Sequence, residues 1–337
     1  MSIRMDQHRD TMTETQRFTA TLRGNDADRF PFFDLEPDDD TVARWRREGL
    51  PKRTSVAEHF HLENHHSVGL VLRSKPFYGE ASDLLTDTQA FDRRYDPDDA
   101  DRYARSFESR TEDLHRDGRV VYVDASGGGL LQMLGVGDWD SLVEACTALI
   151  RRPRDVEALM ERTTDFYCKC LERVLSKVSV DYASLYEPIA SNTGPVVSPA
   201  MFERFAMPGY RRVLGLLDRH GVTLKVFCTT GGDLGSLMPP LVDAGINVLW
   251  ISNIMSPSME YARLRREFGP EIGLIGGIDA TALTESDDAV RRVVGETAPP
   301  LLAGGRYIPC LSDRPRENVP FARYALFREL LAELAEC

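Results

Sequence analysis

Short apolar runs alternate with longer amphipathic stretches along most of this chain. Runs of about five apolar residues bounded by Gly, Pro, Ser or Asp read as strands, and apolar residues recurring every three or four positions read as helices. Strands are expected at 120–124, 182–186, 223–228, 246–251, 272–275 and 307–310. The run Arg29-Phe30-Pro31-Phe32-Phe33, which ends in the acids Asp34 and Glu36, reads as the first strand. Val68 to Leu72 is a further candidate, out of order. Helices are expected at 13–22, after the caps Asp38-Asp39-Asp40 as far as Gly49, at 140–150, 153–175, 258–268, 287–298 and 318–334. Another is expected to run unbroken from Ser198-Pro199 to Gly221, with serine as N-cap and proline in the first turn. Strand–helix alternation at about 25–35 residues implies a parallel sheet with covering helices. With about seven strands in view, a distorted TIM-type (β/α)8 barrel is favoured over an open sheet, so the fold class is α/β.

In such a barrel the C-terminal strand ends share one mouth. The stretch LYEPIASNTGPVVSPAMFERFAMP organises this picture, because it places Glu187 where the strand 182–186 should end. Asp34 or Glu36, Asp124, Cys228, Asp279, Cys310 and Asp313 fall at the other strand ends. Two thiols and several carboxylates are a plausible zinc donor set, since thiolate and carboxylate are both ordinary zinc ligands. Without a metal, the same acids can serve as general acid and base if burial separates their pKa values. The bland readings are a solvated strand-end acid for Glu187 and a buried core residue for Cys228.

Composition narrows the class. The 337 residues, 42% hydrophobic and 28% charged, suit one large globular domain over 1–337. A net charge of -12 without a basic run argues against nucleic acid and against anionic membranes as partners. No segment approaches the roughly 20 apolar residues of a spanning helix, and the N-terminus lacks a signal-peptide core, so a cytoplasmic location is expected. Residues 1–12 are expected to be disordered, and 50–118 to form an inserted lid or side wall with short elements of its own. That segment holds EHFHLENHH; if it is helical, His61 and His65 share a face, with His59 and His66 nearby, a weak metal motif. The six scattered cysteines contain no CxxC pair, and Cys168 and Cys170 read as packing. The glycines of Asp124-Ala125-Ser126-Gly127-Gly128-Gly129 permit a close backbone approach but do not fit a nucleotide-binding loop.

Three segments in the same order resemble the uroporphyrinogen decarboxylase superfamily: EPIASNTGPVVSPAMFERFAMPGYRRV, LIGGIDATAL and GGRYIPCLSDRPRENVPFARY. The opening TLRGNDADRFPFFD is similar to that family's first strand and preceding helix. The resemblance covers about the whole chain outside residues 50–115 and implies a distorted barrel with the site in its mouth. It also implies a choice among chemistries: cofactor-free decarboxylation, or zinc-dependent methyl or alkyl transfer to a thiol, often with a corrinoid as donor. The decarboxylases carry an arginine-rich motif where this chain reads DLEPDDD, and those acids would repel a polycarboxylate porphyrinogen. The transferases carry H-x-C where this chain reads Phe227-Cys228-Thr229-Thr230-Gly231, which puts Cys228 at the histidine position and Thr230 at the cysteine position. Cys310 corresponds to the distal cysteine and Glu187 to the family acid.

The resemblance thus implies a methyl or alkyl transferase with zinc on Cys228, Cys310 and Glu187, and Glu187 and Asp279 as catalytic residues. Substrate contacts are expected from Asp34, Glu36, Asn192, Thr230, Tyr307 and Asp313. The alkyl donor would be external, a corrinoid on a partner protein or a free molecule, and relatives often form homodimers. The alternatives are a metal-free decarboxylase or lyase using the mouth carboxylates, and a non-catalytic binding barrel.

Overall fold

The computed structural model describes residues 11–73, 84–85, 87–127, 129–191, 194–230, 232–252 and 259–336. The architecture is mixed α/β, with parallel strands and covering helices. The chain divides into two compact units, one of His66–Leu114 and Val121–Asn247, the other of Met1–His65, His115–Val120 and Val248–Cys337. Among the described residues no helix is long and apolar enough to cross a membrane.

The first unit is built on β1 (His65–Ser67), β2 (Val120–Asp124), β3 (Tyr182–Tyr186) and, past a short antiparallel hairpin of β4 (Ala190–Ser191) and β5 (Gly194–Pro195), β6 (Leu224–Thr230). β2 pairs parallel with β3, setting Tyr122 opposite Tyr182 and Asp124 opposite Ser184. β3 pairs parallel with β6, setting Tyr186 opposite Cys228. Strand side chains alternate between faces. Val121, Val123, Ala183 and Leu185 are fully buried on one face, whereas Tyr122, Asp124, Ser184 and Tyr186 on the other are less so. Helix Pro153–Leu175 buries Val156, Leu159, Met160, Thr163, Phe166, Tyr167, Cys170 and Val174, a stripe of helical period.

The helix expected to run unbroken to Gly221 is two helices, Pro199–Phe205 and Met207–Arg219, joined at Ala206. Pro208 explains the break, because it brings no N–H and its ring obstructs continuation of the preceding turns. Segment 66–114 is gathered by Arg102, which is 1% exposed. Its guanidinium donates to the carbonyls of Asp96 at 2.8 Å, Val71 at 3.0 Å and Arg73 at 2.9 Å, and also to that of Arg94. One buried cation thus satisfies four carbonyls that irregular backbone would otherwise leave without donors.

In the second unit β7 (Val248–Ser252), β8 (Gly273–Gly276) and β9 (Tyr307–Ile308) run parallel. The expected first strand at 29–33 is not a strand but irregular backbone, in which Phe33 N–H donates to Pro31 O at 3.1 Å. Pro31 has no N–H to give a ladder, and Phe32 spends its own groups on one residue: Glu63 N–H donates to its carbonyl at 2.7 Å, and Glu63 Oε1 accepts its N–H at 3.4 Å. That glutamate also takes Arg17 at 2.8 Å and Arg29 at 2.7 Å, and Arg17 in turn holds Asp28. The out-of-order candidate at 68–72 is likewise not a strand; the strand lies at 65–67, and Leu70 makes only an isolated bridge to Tyr103.

Helix Asp39–Glu48 is capped by Asp38 and stopped at Gly49, as its sequence predicts. Its Trp45 is 0% exposed, stacks on Tyr324 at 4.7 Å and donates to Val319 O at 2.8 Å. Trp45→Ala is expected to cost about 3–5 kcal/mol through cavity formation and the lost bond, whereas Trp45→Phe, which keeps most of the volume, should cost visibly less. Urea unfolding of both variants checks the order and the size.

Candidate active site

β3 ends at Tyr186, and Pro188 prevents its extension past Glu187. The Glu187 backbone stays tied to β6: its N–H donates to Cys228 O at 2.9 Å, and its carbonyl accepts Thr229 Oγ1 at 3.0 Å. Its side chain is 0% exposed. Leu130 N–H donates to Oε1 at 3.1 Å and Oε2 at 3.0 Å, and Tyr210 OH donates to Oε2 at 2.9 Å. Burial pushes its pKa up to about 7, against the opposing pull of Leu130 N–H and Tyr210.

The glycine run now has a reason. A Cβ on Gly129 would stand 2.3 Å from Glu187 Oε1, and Gly129 has φ +83°. A Cβ on Gly127 would stand 2.3 Å from the Tyr167 hydroxyl. Both positions need glycine, for backbone conformation and for close approach. Ser126 completes the turn: its N–H and Oγ both donate to Asp124 Oδ1 at 3.0 Å, and its Oγ accepts Tyr186 N–H at 2.8 Å.

Glu187 shares strand parity with Leu185. Leu185, Leu130, Tyr167 and Tyr210 line a mainly apolar cavity of about 20 Å³ against the helices. That is room for about one water, not for a substrate. The opposite face carries Tyr122, Asp124, Ser184, Tyr186 and Cys228, all half-buried. Ser184 Oγ lies 3.6 Å from Cys228 Sγ. Burial pushes the Cys228 thiol up to about 12, Ser184 lowers it, and Asp124 adds to the rise. The same burial, with Asp124 and Cys228 nearby, raises Tyr122. One sheet face therefore offers a carboxylate, a serine hydroxyl, two phenols and a protonated thiol.

The other expected site residues are placed as follows. Asp34 is 4% exposed, accepts Tyr324 OH at 3.1 Å and is pushed up to about 6 by burial, with Arg328 opposing. Cys310 is 0% exposed, and burial raises its thiol first, with Asp34 adding to the rise. Tyr307 is 1% exposed and donates to Gly276 O at 2.8 Å, which makes it a core tyrosine rather than a surface contact. Asp279 is exposed and accepts Thr281 N–H at 2.9 Å and Oγ1 at 2.8 Å, closing a turn. Asp313 accepts its neighbour Arg314 N–H at 2.8 Å and pairs with Arg316 at 3.2 Å, and Glu36 is exposed. Asn192 and the Thr230 side chain lie outside the described residues.

The zinc set of Cys228, Cys310 and Glu187 does not fit these surroundings. Both Glu187 oxygens already accept hydrogen bonds in an apolar setting, and Glu187 has the parity of Leu185 whereas Cys228 lies opposite Tyr186, so the two side chains face opposite sides of the sheet. Among the described residues no three His, Cys, Asp or Glu side chains gather to hold a metal ion. The histidine motif also changes character. The helix Val56–Phe60 ends at His61, which is left-handed at φ 52°, and His65 lies in β1, so the two share no helical face. His65 instead stacks on Phe33 at 4.3 Å and meets Phe18 edge-on at 4.8 Å, while His59 packs near Phe60 and Phe321.

Three groups escaped sequence reasoning: Tyr210, the Leu130 N–H, and the trio Ser184, Tyr186 and Tyr122. The trio was recoverable, because counting by twos from Asp124 and along β3 places them on one face. Tyr210 carries no such signal, being one apolar position among several on its helix.

A family model described as uroporphyrinogen decarboxylase (URO-D) matches residues 132–312. Among solved structures, a methyltransferase from Methanosarcina mazei has the same fold, with a TM-score of 0.59 at 14% identity over 96% of this chain and 99% of that one. The YdhT protein from Bacillus subtilis matches with a TM-score of 0.44 at 10% identity over 94% of this chain and 93% of that one. No curated protein matches the chain.

Two outcomes follow for the carboxylate and the metal. A glutamate raised from 4.5 to about 7 on folding binds its proton more tightly in the folded state. Its contribution is fully present below about pH 4.5 and is lost as pH rises towards 7, about 3 kcal/mol in all. Glu187→Gln should lack this loss, so the stability difference from wild type should swing by that amount across the window in urea titrations. Elemental analysis of untagged protein should find well below one zinc per chain; a full equivalent, released by Cys228→Ser, would restore the ligand set.

Proposed function

Because the chain belongs to the uroporphyrinogen decarboxylase family, we propose that it is an enzyme transferring a methyl or alkyl group to a small thiol bound at Tyr122, Asp124, Ser184, Tyr186 and Cys228. The observation carrying this reading is that face itself: a carboxylate, hydroxyls and a thiol on neighbouring strands, beside a glycine-rich turn. The name of the Methanosarcina mazei protein supports the same chemistry. The segment Asp34 to Asp40 argues against a porphyrinogen. It carries no cation, Asp38 is spent as an N-cap, and Asp39 and Asp40 sit in the first helical turn. This segment therefore offers nothing to grip a many-carboxylate substrate.

In this reading Asp124 takes the proton from the acceptor thiol, and the sulfur forms the new S–C bond. The donor's bond to carbon breaks with its electron pair leaving on the carrier. A corrinoid, free or delivered by a partner protein, is the donor class that suits such a transfer. Ser184 and Tyr186 orient the acceptor by hydrogen bonds. Cys228, being protonated, lines the face and takes no covalent part. No step is assigned to zinc.

A second reading, metal-free decarboxylation or lyase chemistry, draws on Glu187, whose pKa of about 7 lets it gain and lose a proton near neutrality. One experiment separates the two. Protein incubated with methylcobalamin and a panel of small thiols should yield the S-methyl product with loss of the alkyl–cobalt absorption. Asp124→Asn should lower the rate by about 10²–10⁴-fold, as removal of a general base does. Absence of methylated thiol, together with CO₂ release from a carboxylic acid that depends on Glu187 and not Asp124, would transfer the assignment to the second reading.

A further inference from the structure

Two spaces lie behind Glu187, on the helix side of the sheet. One is the cavity of about 20 Å³ lined by Leu130 and Tyr210. The other is a groove of about 220 Å³ between helix Pro153–Leu175 and the pair Pro199–Phe205 and Met207–Arg219. Glu161, Arg204, Pro208 and Arg212 along the groove are exposed, so it stands open to solvent. Met160, Thr164 and Gly209 line both spaces and form the partition between them. A Cβ at Gly209 would stand 2.7 Å from Thr164 Oγ1, so the glycine leaves that hydroxyl uncovered at the partition. Thr164 Oγ1 donates to Met160 O at 2.7 Å, which leaves its lone pairs free to accept.

The inner cavity suits one water molecule. Its walls are mainly apolar, but the hydroxyl side chains Thr164, Tyr167 and Tyr210 all line it. Tyr167 is 1% exposed, and its hydroxyl makes no hydrogen bond among the described residues. A buried hydroxyl in that position calls for a water partner. Tyr210 OH already donates to Glu187 Oε2 at 2.9 Å, so its oxygen is the point where a cavity water meets the carboxylate's own hydrogen bond. Tyr167 and Tyr210 are the titratable groups nearest Glu187, with Asp124 near both and Arg102 near Tyr167. Burial holds both phenols well above the ordinary tyrosine value, so they relay a proton and do not release it.

We propose that Glu187 exchanges its proton with bulk water from the helix side, through one water in this cavity and past the Thr164 hydroxyl. In uptake, the cavity water passes a proton to the Tyr210 oxygen while the Tyr210 hydroxyl hydrogen moves to Glu187 Oε2. Water in the groove then restores the proton to the cavity water. Glu187 gains one proton, the groove loses one, and Tyr210 ends neutral; release runs the same steps backwards. A buried carboxylate without such a route exchanges only when the surrounding structure opens, an event that denaturant promotes. The route also keeps proton traffic away from the sheet face of Asp124, Ser184 and Tyr186, so Glu187 can change its protonation while that face is occupied. The proposal does not depend on the reaction assigned above.

Infrared spectroscopy of the full chain tests this. At about pH 5 Glu187 is neutral, and its carboxyl C=O band is identified by its loss in Glu187→Gln. On rapid mixing into D₂O that band should shift at a rate unchanged by urea below the unfolding transition. Thr164→Val, which removes the hydroxyl, and Gly209→Ala, which fills the partition, should each slow the shift by about tenfold or more, because exchange then waits for local opening. Thr164→Ser should keep the wild-type rate. A shift that accelerates with urea in the wild type overturns the proposal, as does a wild-type rate in both Thr164→Val and Gly209→Ala. Equal slowing in Thr164→Ser and Thr164→Val would assign the effect to packing and overturn the part given to the hydroxyl. Absence of a neutral carboxyl band at that pH would leave Glu187 without a proton to exchange and overturn it equally.

Discussion

One buried carboxylate anchors the first unit of this protein. Glu187 bonds the N–H of Leu130 in the short helix Gly129–Met133 and the hydroxyl of Tyr210 on helix Met207–Arg219. Its own backbone is knitted into β6 through Cys228 and Thr229. Three elements distant in sequence are therefore held at one point. A carboxyl group removed from water must keep such partners or take up a proton, and the rise in its pKa towards neutrality reflects that cost. The glycines of the turn follow from it, because a side chain at Gly129 would occupy the space of the carboxylate.

Strand alternation then separates structure from chemistry. Glu187 continues the parity of Leu185 and points towards the helices, whereas Ser184 and Tyr186 point the other way. Neighbouring strands add Asp124, Tyr122 and Cys228 to that second face. The rigid backing supplied by Glu187, Tyr210 and the packed helices is what a reactive face needs to keep its groups in register. In the proposed reading Glu187 supports the substrate-binding face from behind, and Asp124 stands on that face.

The second unit shows the same division of labour among its acids. Asp34 is enclosed with Tyr324 and near Arg328, Asp38 caps a helix, and Asp279 closes a turn. Acids that cluster in a strand-end list prove to have distinct local partners. Buried polar atoms are matched one by one, so a carboxylate's role depends on which donors lie within reach and not on its position along a strand.

The sequence by itself determined the alternation of strands and helices, the caps at Asp38 and Ser198, the helix 153–175 and the family resemblance. Each of these rests on local propensity or on a short ordered motif, and both survive without knowledge of distant contacts. Only the tertiary structure decided that residues 29–33 are irregular backbone bound to Glu63, that His61 and His65 part company, and that Glu187 faces Leu130 and Tyr210. The physical reason is common to all three. Hydrogen-bond partners and burial are set by residues tens of positions away, and a side chain's pKa, orientation and availability to a ligand follow from those partners.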